Sequence, residues 1–227
     1  MKIGILQAGS FAQEMHEITG DVDNMFKHML AGQDFRFEVW RVFEAQFPDD
    51  VTTCDGWLIT GSKFSAYEDH AWIPPLEEFI RQAVTQSKPI VGICFGHQLI
   101  AQALGGKVEK FQAGWTVGRQ FYDFGGVELP LNAWHQDQVT ELPIGAHVLA
   151  QNQTCPHAAI VYGDRALSFQ AHPEFGPDAI EGLVQYAGPG KVPQAQLDAV
   201  IDNLAEPTAN EVIADQIADF FRRPRSM

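Results

Sequence analysis

Lys88-Pro-Ile-Val-Gly92-Ile-Cys94-Phe-Gly96-His-Gln98-Leu-Ile-Ala-Gln-Ala-Leu-Gly-Gly106 changes period halfway along. Ile90, Val91 and Ile93 form a short apolar run. From Leu99 the apolar positions are Ile100, Ala103 and Leu104, at helical spacing. A short buried strand that turns sharply into a helix puts the turn residue, Cys94, at the helix N-terminus. There a thiol meets the positive end of the helix dipole and the unpaired backbone N–H groups, which favours the nucleophilic thiolate. Such an elbow strains the backbone at the nucleophile and leaves no room for side chains two residues either side. Gly92 and Gly96 occupy those two positions. A lone cysteine at a strand end is ordinarily a small buried hydrophobe; the paired glycines and the strand-to-helix switch argue for catalysis here.

Around this segment, apolar runs alternate with helical patterns, the signature of an α/β fold with a largely parallel sheet. Strands are expected at residues 3–7, 35–43, 56–60, 90–93 and 166–171. Helices are expected at residues 23–31 and 74–85, the latter with a proline at its start. Residues 108–170 have a texture of short strands and hairpins, and residues 178–222 return to helical spacing as a C-terminal extension. With no internal repeat or linker composition, residues 1–227 read as a single domain, a length that supports a sizeable core.

Composition excludes several functions. Acidic residues outnumber basic ones 29 to 15, for a net charge of −14, so neither nucleic acid nor an anionic membrane is expected as a partner. No apolar run approaches the roughly 20 residues that span a bilayer, and the N-terminus reads as a first strand rather than a signal peptide. Cys54, Cys94 and Cys155 give neither a disulfide framework nor CxxC spacing, which fits a reducing cytoplasm. The histidines lack metal-ligand spacing, so no metal or other cofactor is expected.

A cysteine nucleophile needs a base, and the base needs a group to orient it. Among eight histidines, His172 stands out: it follows the expected strand 166–171, and active sites of open α/β sheets gather at the C-terminal ends of strands. Pro173 stiffens the turn, and Glu174 is close enough to reach the imidazole. Taken singly, His172 and Glu174 could be a structural histidine and a first-turn acid. A small-residue turn at Gly61-Ser62, with the N–H of Phe95, could point donors at an oxyanion.

With these residues assembled, the chain resembles the class I glutamine amidotransferases. Three blocks carry the resemblance: Thr60-Gly61-Ser62 through Glu68-Asp69, then Gly92-Ile-Cys94-Phe-Gly96-His-Gln98, then His172-Pro-Glu174. It implies a three-layer, mostly parallel open sheet with flanking helices, flavodoxin-like, bearing a nucleophile elbow. It further implies that Cys94 attacks the side-chain amide of glutamine, that His172 shuttles the proton and that Glu174 orients His172. N–H groups near Gly61 and Ser62 and that of Phe95 would hold the oxyanion, and Gln98 would position substrate. The segment Asn132-Ala-Trp-His135-Gln-Asp137-Gln-Val139 is similar to a family segment near the active site, which assigns it, and His135 with it, to the pocket rim; His135 could instead hydrogen-bond a loop. The chain departs from the family pattern at Lys63, where many relatives carry proline. Residues 176–227 offer no glycine-rich phosphate cradle, so the chain is similar to the free-standing branch of the family, which includes γ-glutamyl peptidases.

Three functions follow from the resemblance. One is glutamine hydrolysis, with ammonia passed to an acceptor or a synthase subunit. Another is free-standing hydrolysis of a γ-glutamyl peptide or amide. The third, a non-catalytic binding relative, is disfavoured by the presence of Cys94, His172 and Glu174 together.

Overall fold

The computed structural model describes residues 1–224. In chain order its elements are β1 (Lys2–Gln7), α1 (Gln13–Thr19), α2 (Val22–Met29), β2 (Arg36–Arg41), β3 (Gly56–Ile59), α3 (Ile73–Thr85), β4 (Ile90–Ile93), α4 (Phe95–Ala103), β5 (Lys107–Lys110), β6 (Thr116–Asp123), β7 (Glu128–His135), β8 (Asp137–Glu141), β9 (His147–Ala150), β10 (Ala159–Tyr162), β11 (Ala166–Phe169), α5 (Pro177–Gly182), α6 (Gln194–Asp202) and α7 (Asn210–Arg222).

The central sheet runs β2-β1-β3-β4-β11-β10-β9. From β2 to β11 every pairing is parallel; β10 and β9 complete the sheet antiparallel. Alternating side chains feed two cores, as the period of a strand requires. Trp57, Ile59 and Ile90 pack with Leu76, Phe79, Ile80, Leu99 and Ile100 of α3 and α4. Leu58, Val91, Ile93 and Leu167 face the other way, against Phe26 of α2 and Ile213, Ile217, Phe220 and Phe221 of α7. Helices on both faces of a mostly parallel sheet make the three layers that the resemblance implies. A third cluster joins Met15 of α1 to Phe175, Ile180, Leu183, Leu197 and Val200, around α5 and α6.

Several boundaries differ from the sequence reading. The strand expected at 35–43 ends at Arg41, because residues 42–44 curl into a 3-10 turn that buries Val42. The strand expected at 166–171 ends at Phe169, so His172 lies three residues beyond it. The extension 178–222 is three helices, and α5 runs on into a π turn, Leu183–Ala187. Helix α1 was not expected: it buries only Met15 and so shows no apolar stripe.

Among the described residues no helix is long and apolar enough to cross a membrane. The loops after β1, β3, β4 and β11 open on one edge of the sheet, the C-terminal ends of its parallel strands, where ligands of such sheets bind.

Candidate active site

Cys94 is the residue between β4 and α4, and its backbone is held at φ 52° and ψ −101°. This is a sparsely populated region for a side-chain-bearing residue, costing on the order of 1–3 kcal/mol. The surroundings impose it. Cys94 N donates to Phe169 O of β11 at 2.8 Å, and Gln98 N returns to Cys94 O at 3.0 Å to start the helix. A Cβ at Gly92 would fall 2.4 Å from Gly96 O, and one at Gly96 would fall 2.4 Å from Ile59 O. Both glycines are therefore required for α4 to approach β3 and β4 this closely. The thiol is buried but lines a cavity of about 520 Å³. Cys54 and Cys155 do not line it, and burial raises their pKa values to about 11 and about 12.

His172 lines the same cavity, with its ring buried. Its Nδ1 is 2.7 Å from Glu174 Oε1, which leaves Nε2 to face elsewhere. Phe175 stacks on the imidazole, with centroids 4.0 Å apart and planes 4° off parallel. Burial acts to lower the ring's pKa, but the charge of Glu174 and then of Cys94 outweighs it and lifts the value to about 10. The protonated ring is thus its ordinary state. A Cβ placed on Gly61 would sit 3.0 Å from His172 Cε1 and 3.7 Å from Cys94 Cβ, so the turn after β3 closes directly over both residues.

Other residues named from sequence are distributed as follows. Gly61 and Ser62 line the cavity, and their N–H groups, like that of Phe95, reach no acceptor among the described residues. The Ser62 hydroxyl is committed to Ala8 O at 2.8 Å. Gln98 lines the cavity too, but its amide nitrogen donates to Asp137 O at 2.8 Å and to Gln170 Oε1 at 3.1 Å. That amide braces α4 to its neighbours and has only its oxygen left for a ligand. His135 is buried on the cavity wall with neither ring nitrogen paired. Burial lowers its pKa to about 3, so it is neutral. No trio of His, Cys, Asp or Glu among the described residues is arranged to hold a metal.

Two sets of contacts lay outside the sequence reading, although Asn132 and Asp137 stand in the segment it places at the pocket rim. Asn132 of β7 clamps the turn that carries His172: its carbonyl accepts from His172 N at 2.8 Å and its side chain donates to Phe175 O at 3.0 Å. Asp137 lines the cavity and is held by the Ser65 hydroxyl and by Tyr67 OH at 3.0 Å. These partners are separated along the chain by 40 residues or more, so no local spacing links them. The aromatic walls come from Phe11, Trp115, Trp134 and Tyr186, the last presented by the π turn.

Comparison with known proteins bears on the family and the fold. The family model described as glutamine amidotransferase class-I matches residues 17–182. Gamma-glutamyl peptidase 3 of Arabidopsis thaliana is 32% identical over 182 residues, 73% of each chain. A glutamine-hydrolyzing GMP synthase from a Thermotoga species is 34% identical over 140 residues, 58% of this chain and 27% of its own. The crystal structure of a glutamine amidotransferase from Methylobacillus flagellatus has the same fold, with a TM-score of 0.73 at 24% identity, over 97% of this chain and 93% of that one.

Proposed function

The chain belongs to the class I glutamine amidotransferase family, and from that membership we propose that it hydrolyses the C–N bond of a γ-glutamyl amide through a thioester on Cys94. The supporting observation is the orientation of His172. Glu174 fixes Nδ1 at 2.7 Å, and the same ring lies against the turn that also touches Cys94.

In this reading the Cys94 sulfur attacks the γ-carbonyl carbon with its proton already on His172 Nε2. The N–H groups of Phe95 and of Gly61 or Ser62 stabilise the oxyanion. His172 then gives its proton to the leaving nitrogen, and the C–N bond breaks. Water attacks the thioester with His172 as base, releasing glutamate and restoring the thiol. Glu174 keeps the ring in one tautomer throughout and stabilises its charge. Asp137 supplies a carboxylate to the substrate's α-ammonium.

Glutamine is the simplest such substrate, and its ammonia could pass to an acceptor on a synthase subunit. A second reading, a free-standing hydrolase of γ-glutamyl peptides, draws support from the cavity. Its volume of about 520 Å³ is that of sites enclosing whole small-molecule ligands, and a relative of similar length is named a gamma-glutamyl peptidase. Unpaired cysteines fit a reducing compartment such as the cytoplasm. The test is glutamate release from glutamine, γ-glutamyl peptides and γ-glutamyl amines by the chain alone. Release that Cys94→Ala abolishes supports the mechanism; release undiminished in Cys94→Ala contradicts it. Release from glutamine only, and only with a partner present, would return the chain to the synthase-subunit reading.

A further inference from the structure

Five of the seven lysines have settled partners. Lys2, Lys27 and Lys107 form ion pairs, Lys88 donates to Cys54 O and Lys63 lies over the Phe64 ring. Lys110 and Lys191 are the other two. Neither ammonium has a carboxylate, an acceptor or a ring among the described residues, although acidic residues outnumber basic ones 29 to 15. They come from distant parts of the chain, the end of β5 and the loop after the π turn, yet both line the cavity that holds Cys94.

Their position within the cavity is specific. Beyond Cys94 the cavity opens into a groove of about 480 Å³. Lys110, Trp115, Gln136 and Lys191 border both spaces. Cys94, Gly61, Asp137 and His172 border only the inner one. A γ-glutamyl group bonded to Cys94 takes up part of the inner space, and a leaving group that extends from it toward Trp115 and Gln136 reaches Lys110 and Lys191. Of the acids lining the cavity, Glu174 is bonded to His172, and Asp137, opposite Lys110 in the β5–β8 pairing, is held by Ser65 and Tyr67 and forms no ion pair with either lysine.

We infer that Lys110 and Lys191 select γ-glutamyl substrates whose leaving amine carries a carboxylate, an amino acid or short peptide, over glutamine and over neutral γ-glutamyl amides. This rests on the γ-glutamyl hydrolysis proposed above and adds what that chemistry leaves open, the identity of the leaving group. Both lysines are exposed, so their removal leaves the core intact.

The experiment compares γ-glutamylglycine, γ-glutamylglycinamide and glutamine as substrates of the wild type, of Lys110→Ala/Lys191→Ala and of Lys110→Arg/Lys191→Arg. The wild type is expected to favour γ-glutamylglycine over its amide by about tenfold in kcat/KM, mostly through KM, as two exposed charge contacts allow. High salt narrows the gap. The alanine pair loses that preference and leaves the other two substrates within about twofold, and the arginine pair keeps it. Turnover of acid and amide at equal efficiency by the wild type overturns the lysine assignment alone. So does a loss shared equally by all three substrates, which would place the lysines on the γ-glutamyl carboxylate. Turnover of none of the three overturns the γ-glutamyl reading and this inference with it.

Discussion

His172 carries opposed influences on one ring. Burial favours the neutral imidazole, while the Glu174 carboxylate and Cys94 favour the cation and prevail, holding the pKa near 10. The ring must be protonated to deliver a proton to the departing amine, so the rate of the first half-reaction is expected to persist through neutral pH and fall as pH approaches 10. Glu174→Ala removes the largest cationic influence. Its kcat should drop about 10²-fold, the range of a general acid–base contribution, and its alkaline limb should move to lower pH. A pH–rate profile checks both, and a limb that stays near 10 in the variant would separate Glu174 from the ring. His172→Asn should be closer to inactive than Glu174→Ala, because water can partly replace an orienting group but not the base itself.

At the scale of elements, the site depends on three glycines whose missing side chains do different things, Gly92 and Gly96 at the strand-to-helix turn and Gly61 in the turn after β3. Gly96→Ala would drive a methyl into Ile59 O at 2.4 Å, and backbone cannot swing aside as a side chain can. It should cost about 2–3 kcal/mol of stability, as overpacking of a tight core does, measured by urea unfolding. Gly61→Ala meets a movable partner, the His172 ring at 3.0 Å. There the expected result is near-normal stability with a strongly reduced kcat. If Gly61→Ala kept full activity, the contact between the β3 turn and the ring would have no catalytic consequence. The legibility of the sequence follows the same division. Gly92, Cys94 and Gly96 were readable because their constraint is local, within one turn of chain. His172 and Glu174 were readable as a pair two residues apart. The contacts of Asn132, Asp137, Ser65 and Tyr67 were not, although their segments were singled out, because each acts on a residue brought to it by the sheet or the β6–β7 hairpin. Helix α1 escaped for a related reason: one buried methionine gives no periodicity.

Across the whole molecule, histidines tie stability to pH in two directions. His97 and His135 are buried and neutral, with pKa values lowered to about 3 chiefly by burial. An unfolded histidine titrates near 6.5. Between pH 6.5 and 3 the unfolded chain therefore binds protons that the folded chain refuses, and stability falls as pH falls, by up to about 1.4 kcal/mol per pH unit for each group. His172 acts oppositely: its contribution is fully present below 6.5 and is lost as pH rises through about 10. The histidines together favour the folded state most near pH 6.5. Urea midpoints at pH 5 and pH 7 test this, since His97→Gln should flatten the difference. An unchanged difference would show that His97 does not titrate on unfolding as described.

The central claim is that a γ-glutamyl thioester forms on Cys94. Acid-quenching the enzyme during turnover of a γ-glutamyl peptide and measuring intact and peptide masses tests it most directly. The expected result is a single γ-glutamyl adduct on the peptide containing Cys94, absent from Cys94→Ala along with turnover. An adduct on any other residue, or turnover that survives in Cys94→Ala, would contradict it.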